Sequence, residues 1–195
     1  MEETIIRGAR KDEAPLIATM IMEAMNHDCC QNFAGPEHTL DDFHCMMTML
    51  VGHERSQYSY LNTLVAECGG KVAGCLVCYD GALLRPLREQ FIAAAREYLD
   101  RDFSHIDDET QAGELYLDSL CVLSAYRNRG IATALLRSSV AKAREMGIPA
   151  VGLLVDKGNP GAERLYTSLG FRHAGDTVWG GHGMKHLVFG PVDEE

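Results

Sequence analysis

Hydrophobic positions in the first quarter of the chain recur mainly at helical spacing. A short strand-like segment, Thr4 to Ala9, precedes Asp12 and Pro15, which are typical of the first turn of a helix. Apolar residues then follow three or four positions apart, and a second such run covers Leu40 to about Gly52. We therefore predict a strand followed by two helices. The apolar positions of the helices include Leu16, Met20, Ile21, Ala24, Phe43, Met46, Met47 and Leu50.

The pattern changes to strands near residue 62. The segments Asn62 to Cys68 and Lys71 to Tyr79 are rich in strand-forming residues, and Gly69-Gly70 between them supplies a tight turn. This arrangement predicts an antiparallel hairpin.

The segment 85–113 is interpreted as an insertion. Helical spacing returns between Arg85 and Leu99, and Arg101 to Gly113 is then polar and acidic. Such a helix and loop either folds over a substrate or forms a solvated surface excursion, and the sequence leaves both readings open.

The next stretch has the order strand, glycine turn, helix, strand. Glu114 to Leu123 alternates as a strand does, and the helix after Gly130 ends near Gly147. Ala150 to Val155 is a short apolar run, as expected for a strand that is covered on both faces and lies parallel to its predecessor. We predict one α/β domain over residues 1–195 with a mixed central sheet.

The turn at Gly130 has the features of an anion site. A turn that opens a helix offers unpaired backbone N–H groups, and glycine lets an anion approach them without a side chain intervening. Arg127 and Arg129 add local positive charge. The Walker lysine pattern and the Gly-x-Gly-x-x-Gly pattern are both absent, which argues against an NTPase and a dinucleotide oxidoreductase.

Composition narrows the classes of partner. The chain has 28 acidic and 18 basic residues and a formal charge of -10, so a general electrostatic interaction with nucleic acid is not expected. No apolar run approaches the roughly 18 residues of a membrane span, and no export signal precedes the first strand. We expect a soluble cytoplasmic protein, for which a homodimer is compatible with the sequence.

The seven cysteines are expected to be reduced. Cys75 and Cys78 have the spacing of a redox motif, but they lie in a strand, where their side chains point to opposite or poorly matched sides. Cys29 and Cys30 lack a second cysteine pair at zinc-ribbon spacing, so no metal site is expected.

Two ordered motifs resemble the GNAT superfamily of acyl-CoA-dependent N-acetyltransferases. Leu120-Cys121-Val122 followed by Tyr126-Arg127-Asn128-Arg129-Gly130-Ile131-Ala132 resembles its acetyl-CoA motif, with Ala132 at the second small position. The stretch Asn159 to Phe171 resembles the family pattern Asn-x-x-Ala-x-x-Leu-Tyr-x-x-x-Gly-Phe. The resemblance covers about 60 residues and implies a GNAT-like fold in which the two central parallel strands splay apart.

The resemblance further implies acetyl-CoA as cosubstrate. Backbone amides from Arg129 to Thr133 would hold its pyrophosphate, and the strand end would pair with the pantetheine arm. Asn159 would contact the arm or the loop beside it, and it is equally well placed as a helix N-cap before Pro160. The expected cofactor-binding residues are Cys121, Val122, Leu123, Arg127, Arg129, Gly130, Ile131, Ala132, Thr133 and Asn159.

The implied reaction is direct transfer of an acetyl group to a primary amine. The resemblance implies Tyr166 as the acid that protonates the leaving thiolate, against the alternative of a packed core tyrosine. Asp118 is the proposed base, with Tyr116 and Glu114 as alternatives and a strand-edge salt bridge as its purely structural reading. A non-catalytic acyl-CoA-binding or sensory module is the competing function, and the presence of Tyr166 argues against it.

The acceptor amine is not identified by the sequence. It is expected to enter between the N-terminal helices, the 85–113 segment and the C-terminal turn near His182. On a helix, His182 and His186 would suggest metal ligands, but the neighbouring glycines favour a turn and a strand.

Overall fold

A seven-stranded mixed sheet runs through the molecule, which our computed structural model describes from residue 3 to residue 191. The strand order is β1-β2-β3-β4-β5-β7-β6, and every neighbouring pair is antiparallel except β4 and β5. The predicted hairpin and the predicted parallel pair are both confirmed. The strands are β1 (Thr4–Gly8), β2 (Thr63–Cys68), β3 (Lys71–Asp80), β4 (Glu114–Val122), β5 (Ala150–Asp156), β6 (Arg172–Trp179) and β7 (His182–Phe189).

Helices cover both faces of the sheet. They are α1 (Ala14–Met25), α2 (His27–Ala34), α3 (Leu40–Gly52), α4 (Leu84–Leu99), α5 (Ile131–Glu145) and α6 (Pro160–Ser168). The short α2 was not predicted; Asn26 separates it from α1 with a left-handed backbone and caps it by accepting a hydrogen bond from the Cys29 amide at 3.0 Å. Within residues 3–191, no helix combines the length and the apolar character that crossing a bilayer requires.

The two faces hold separate hydrophobic clusters. One cluster packs α1 to α4 against the sheet, and the other packs α5, with side chains of α6, against the opposite face. Cys75 belongs to the first cluster and Cys78 to the second, so their side chains lie on opposite faces of β3. Burial raises the pKa of both thiols. Both observations argue against redox chemistry at this pair.

The inserted segment packs back onto the domain. Arg88 on α4 is 5% exposed and forms an ion pair with Glu109, which is 6% exposed. Arg88 also bonds to Asp108 at 3.0 Å and to the carbonyl groups of Ile106 and Asp107. A buried arginine therefore anchors the acidic end of this segment to the domain, and whether the segment folds over a substrate stays a prediction.

The central strands splay at Asp118. β4 and β5 pair from Glu114 opposite Ala150 to Leu117 opposite Leu153, although both strands continue beyond this point. On the other side of β4, Cys78 pairs with Leu117 and Val77 with Ser119, which leaves Asp118 as an extra, unpaired residue. This is a β-bulge, a feature that redirects a side chain and recurs beside active sites. The predicted splay is confirmed.

Candidate active site

The start of α5 is an open N-terminus. Gly130 has a φ of 79° and is the residue before the helix, and no side chain caps the helix there. Among the described residues 3–191, no atom of another element lies within 4 Å of the position where a side chain of Gly130 would begin. The amides of Ile131, Ala132 and Thr133 precede the first intrahelical hydrogen bond, which Ala134 donates to Gly130. These amides and the helix dipole together favour a bound anion.

The two arginines before this turn have different environments. Arg127 donates to the Val122 carbonyl at 2.9 Å and to the Glu23 carboxylate at 2.6 Å, so it ties the end of β4 to α1. Arg129 lies 5.4 Å from the ring centroid of Tyr126 and forms no ion pair within residues 3–191. Arg129 is therefore the arginine whose charge is better placed to meet an anion.

The end of β4 combines a paired edge with an open edge. The Leu123 amide donates to the Ala73 carbonyl at 2.9 Å, which completes the pairing with the β3 side. On the β5 side, no strand within residues 3–191 pairs with β4 beyond Leu117. Cys121 is 5% exposed, and burial raises the pKa of its thiol to about 12, which favours packing over a nucleophilic role.

Asp118 lies in the bulge in a partly buried recess. Burial raises the pKa of its carboxyl to about 6, against the opposing effects of Ser119, Gln57 and Arg88. The Ser119 hydroxyl donates to Asp118 at 2.8 Å. A carboxyl with a pKa near neutrality, located where the parallel strands separate, has the properties of a general base.

The charge of this carboxylate acts on three buried tyrosines. Burial, followed by the charge of Asp118, raises the pKa of Tyr58, Tyr79 and Tyr116 well above the ordinary tyrosine value. Tyr79 and Tyr116 pack edge to face with ring centroids 5.7 Å apart. Tyr116 therefore stays protonated at neutral pH, which makes it a poor alternative base.

Glu114, the other alternative base, is bound elsewhere. Its side chain is 5% exposed; it accepts from the Thr110 hydroxyl at 2.6 Å and lies 2.8 Å from His186 Nε2. The carboxylate also fills the space beside Gly152, at the paired end of β4 and β5. This environment gives Glu114 a structural role.

His186 is expected to make stability dependent on pH. The hydrogen bond with Glu114 raises the pKa of His186 above its ordinary value of 6.5. The interaction of protonated His186 with Glu114 therefore contributes fully to the unfolding free energy below about pH 6.5. This contribution is lost as the pH rises through the raised pKa of His186. His186→Gln removes the titration but keeps a donor. The difference in unfolding free energy between the two proteins, measured in urea, should shrink from about pH 6 to about pH 9; a constant difference would contradict this.

Tyr166 lies on α6 beside the second hydrophobic cluster. Its ring packs edge to face with Phe171 at 5.9 Å, and its hydroxyl has no hydrogen bond with another residue of the 3–191 range. Burial raises its pKa to about 12, so the hydroxyl keeps its proton at neutral pH. The ring packs, and the hydroxyl remains available as a donor.

Asn159 caps α6. Its side-chain oxygen accepts from the Ala162 amide at 3.1 Å, and Pro160 occupies the first turn. The N-cap interpretation is confirmed, and contact with a cofactor stays a prediction.

The C-terminal histidines lie on a strand. Gly180 and Gly181 form the turn between β6 and β7, and His182 begins β7, so the predicted turn and strand are confirmed. His182 is exposed and lies 3.5 Å from the Asp156 carboxylate. Within the described range 3–191, no group of three metal-ligating side chains is found.

A small cavity of about 10 Å³ lies among the segments expected to frame the acceptor. Phe33 of α2, Arg88 and Glu109 of the insertion, and Trp179 of β6 all line it, together with Gln57. Sequence reasoning missed Gln57, which lies in a loop without periodicity, and Trp179. The one signal for Trp179 in the sequence is that it is the only tryptophan of the chain.

Known proteins resemble this chain in sequence and in structure. A chloroplastic GCN5-related N-acetyltransferase 6 from Arabidopsis thaliana is 37% identical over 70 residues, covering 36% of this chain and 24% of the relative. The chain thus matches about a quarter of that relative's length.

Among solved structures, an N-acetyltransferase from Staphylococcus aureus Mu50 is 25% identical with a TM-score of 0.78, covering 95% of this chain and 100% of the other. A crystal structure described as an acetyltransferase is 27% identical, also with a TM-score of 0.78, covering 96% and 99%. The model of the acetyltransferase (GNAT) family matches residues 22–171. The chain therefore belongs to the acetyltransferase (GNAT) family.

Proposed function

We propose that this protein is an N-acetyltransferase that moves an acetyl group from acetyl-CoA to a primary amine by direct transfer. The observation that carries the proposal is the bulge at Asp118, which coincides with the point where β4 and β5 separate. A carboxyl with a pKa of about 6 thus lies at a gap between strands, beside the open edge of β4. Membership of the GNAT family supports acyl transfer as the reaction type.

The residues present fit an acyl-CoA. The open space at Gly130 and the free amides of Ile131, Ala132 and Thr133 suit a pyrophosphate, with Arg129 nearby. The open edge of β4 from Cys121 to Leu123 offers backbone groups to the amides of the pantetheine arm.

Two expected contacts are modified by the structure. Arg127 is engaged by Glu23 and Val122, so its contribution to cofactor binding should be smaller than that of the glycine turn. Asn159 would contact the pantetheine arm through the hydrogen-bonding groups of its side chain that the capping bond to Ala162 leaves free. When bound, acetyl-CoA supplies the reactive thioester and a thiol leaving group.

Asp118 is the proposed base. An amine reaches the site mainly as an ammonium ion and must lose a proton before it can attack a carbonyl carbon. At neutral pH a carboxyl with a pKa of about 6 is largely ionised, so Asp118 can accept that proton directly or through a water. It also attracts the incoming ammonium ion.

Tyr166 is the proposed acid, and Tyr166→Phe tests it. The substitution keeps the packing against Phe171 but removes the donor for the leaving thiolate. We expect kcat to fall by about 10-fold or more while the Kd of acetyl-CoA changes little. Steady-state kinetics with the best acceptor and calorimetry measure the two effects. Tyr98→Phe, on the exposed side of α4, is the matched control; wild-type turnover in Tyr166→Phe would show that Tyr166 only packs.

One pair of measurements separates this function from a binding module. Calorimetric titration with acetyl-CoA, ATP and NAD should give binding of acetyl-CoA alone. Release of free CoA thiol in the presence of a panel of amines should then show turnover. Binding without thiol release for any amine would favour the acyl-CoA-binding or sensory module, and absence of acetyl-CoA binding would rule out both functions.

A further inference from the structure

The small cavity lined by Gln57 and Trp179 carries two buried polar atoms that form no hydrogen bond within residues 3–191. Gln57 Oε1 and Trp179 Nε1 are both inaccessible to solvent and form no hydrogen bond with any residue of the 3–191 range. Both side chains line the cavity, and Gln57 is 3% exposed. Buried polar groups are nearly always hydrogen-bonded, so two orphaned atoms at one cavity indicate that something polar binds there.

The orientation of the Gln57 amide is fixed by its neighbours. Glu109 Oε1 accepts from Gln57 Nε2 at 3.2 Å and from the Tyr79 hydroxyl at 3.0 Å, and its other oxygen pairs with Arg88. Since the carboxylate can only accept, the nitrogen of Gln57 must face it and the oxygen must face away. The Gln57 amide also interacts with Asp118, so it joins the cavity to the proposed base.

The two buried atoms without partners indicate which hydrogen-bonding groups the ligand needs. Gln57 Oε1 needs a donor, and the indole N–H of Trp179 needs an acceptor. An amine without other polar groups satisfies Gln57 alone and leaves the indole N–H unpaired. An α-amino carbonyl group satisfies both, because its nitrogen donates and its carbonyl oxygen accepts.

The charges near the cavity favour a neutral carbonyl. Arg88, the cation lining the cavity, is already bonded to Glu109, Asp108 and two backbone carbonyl groups. A carboxylate on the ligand would lie near Asp118 and Glu109 without a free cation from the lining residues. A buried, unpaired negative charge is costly, whereas an amide carbonyl needs only the one donor.

We propose that this cavity is the acceptor site and that it selects an α-amino amide, the group found at the N-terminus of a peptide. The amine donates to Gln57 beside Asp118, and the amide carbonyl accepts from the Trp179 indole. The assignment rests on the proposed function, since it takes the bound amine to be the acetyl acceptor.

Binding requires Trp179 to move. A cavity of about 10 Å³ holds no more than about one water, so a ligand must displace the indole from its packing against Phe33, 6.1 Å away between ring centroids. Trp179 ends β6 directly before Gly180 and Gly181, both in left-handed conformations. Because Trp179 is the only tryptophan, its emission reports on this movement directly.

The test is a titration of the protein with L-alaninamide, 2-aminopropane and L-alanine. The titration contains saturating CoA. Because CoA carries no acetyl group, no turnover occurs. We expect L-alaninamide to change the Trp179 emission and to bind about 10-fold or more tightly than the other two compounds. 2-Aminopropane leaves the indole N–H unpaired, and L-alanine brings a carboxylate that no free cation of the lining compensates. Equal affinities, or no emission change with L-alaninamide, would overturn the proposal.

Trp179→Phe identifies the source of the preference. It keeps an aromatic ring against Phe33 and removes only the indole and its N–H. By calorimetry, the preference for L-alaninamide over 2-aminopropane should fall to about 2-fold or less. Val178→Ala, at a neighbouring residue that is 59% exposed, is the matched control and should keep the preference. An unchanged preference in Trp179→Phe would also overturn the proposal.

The outcomes for CoA binding and for amine selection test the proposed function and this proposal separately. Failure to bind CoA would contradict the acetyltransferase function, and the same amine titration without CoA would still decide which ligand the cavity selects. Conversely, rapid acetylation of 2-aminopropane with no preference for L-alaninamide would support transfer and refute the selection of an α-amino amide.

Discussion

Asp118→Asn is expected to lower kcat by about 100-fold or more, within the usual range for a general base. The amide is nearly isosteric with the carboxylate and can still interact with Ser119 and Gln57, but it cannot accept the proton of the amine. It also removes the negative charge that attracts an ammonium ion, so KM for the amine should rise. The Kd of acetyl-CoA should change little, because the anion site at Gly130 is untouched.

The pH profile makes this prediction specific to Asp118. Burial raises its pKa to about 6, and in the proposed mechanism the ionised form is the active one. The kcat/KM of the wild type should therefore rise with pH and level off above about pH 6, apart from the ionisation of the amine itself. The Asn variant should lack this inflection. An Asn variant with the wild-type rate and profile would show that Asp118 is structural.

Much of the fold follows from local patterns in the sequence. The helix Leu40–Gly52 and the strand beginning at Glu114 have the predicted limits or nearly so, because capping residues and periodicity coincide there. The parallel pair also follows, since a strand, helix, strand order leaves little topological freedom. The splay of the two central parallel strands is predicted from the resemblance to the family motifs, because periodicity alone does not indicate it.

The proposed acceptor site could not be predicted in the same way. Gln57, Arg88, Glu109 and Trp179 come from four separate segments, and only the tertiary structure brings them together. The ion pair between Arg88 and Glu109 is buried, and burial of this kind cannot be read from an acidic loop in the sequence. In a single sequence, Glu109 is indistinguishable from a solvated acidic residue.

The same limit applies to Arg127. Clustering with Arg129 suggests two equivalent cations, but contact with Glu23, more than one hundred residues earlier in the chain, commits one of them to the structure. Long-range ion pairs of this kind leave no local pattern.

Gly130→Asp is expected to abolish most acetyl-CoA binding. The new side chain would enter the open space in front of the Ile131, Ala132 and Thr133 amides, where it can accept their hydrogen bonds and repel the pyrophosphate. A negative charge next to the bound pyrophosphate should raise the Kd of acetyl-CoA by about 100-fold or more. Calorimetry on the folded variant measures the effect, and Gly130→Asn separates the side chain from its charge.

Gly147→Asp is a matched control on the same helix. Gly147 follows the other end of α5 and has a φ of 67°. In the part of the chain that the structure describes, it likewise has no neighbour within 4 Å of a new side chain. Both substitutions place a non-glycine residue in the left-handed region at a cost of roughly 1–2 kcal/mol in unfolding free energy. The new carboxylate lies at the positive end of the helix dipole in Gly130→Asp and at the negative end in Gly147→Asp, so Gly147→Asp should be the more destabilised of the two. Only Gly130→Asp should weaken acetyl-CoA binding. If the two variants bound acetyl-CoA equally well, the pyrophosphate would not lie at the start of α5, and the assignment of this turn as the cofactor site would fail.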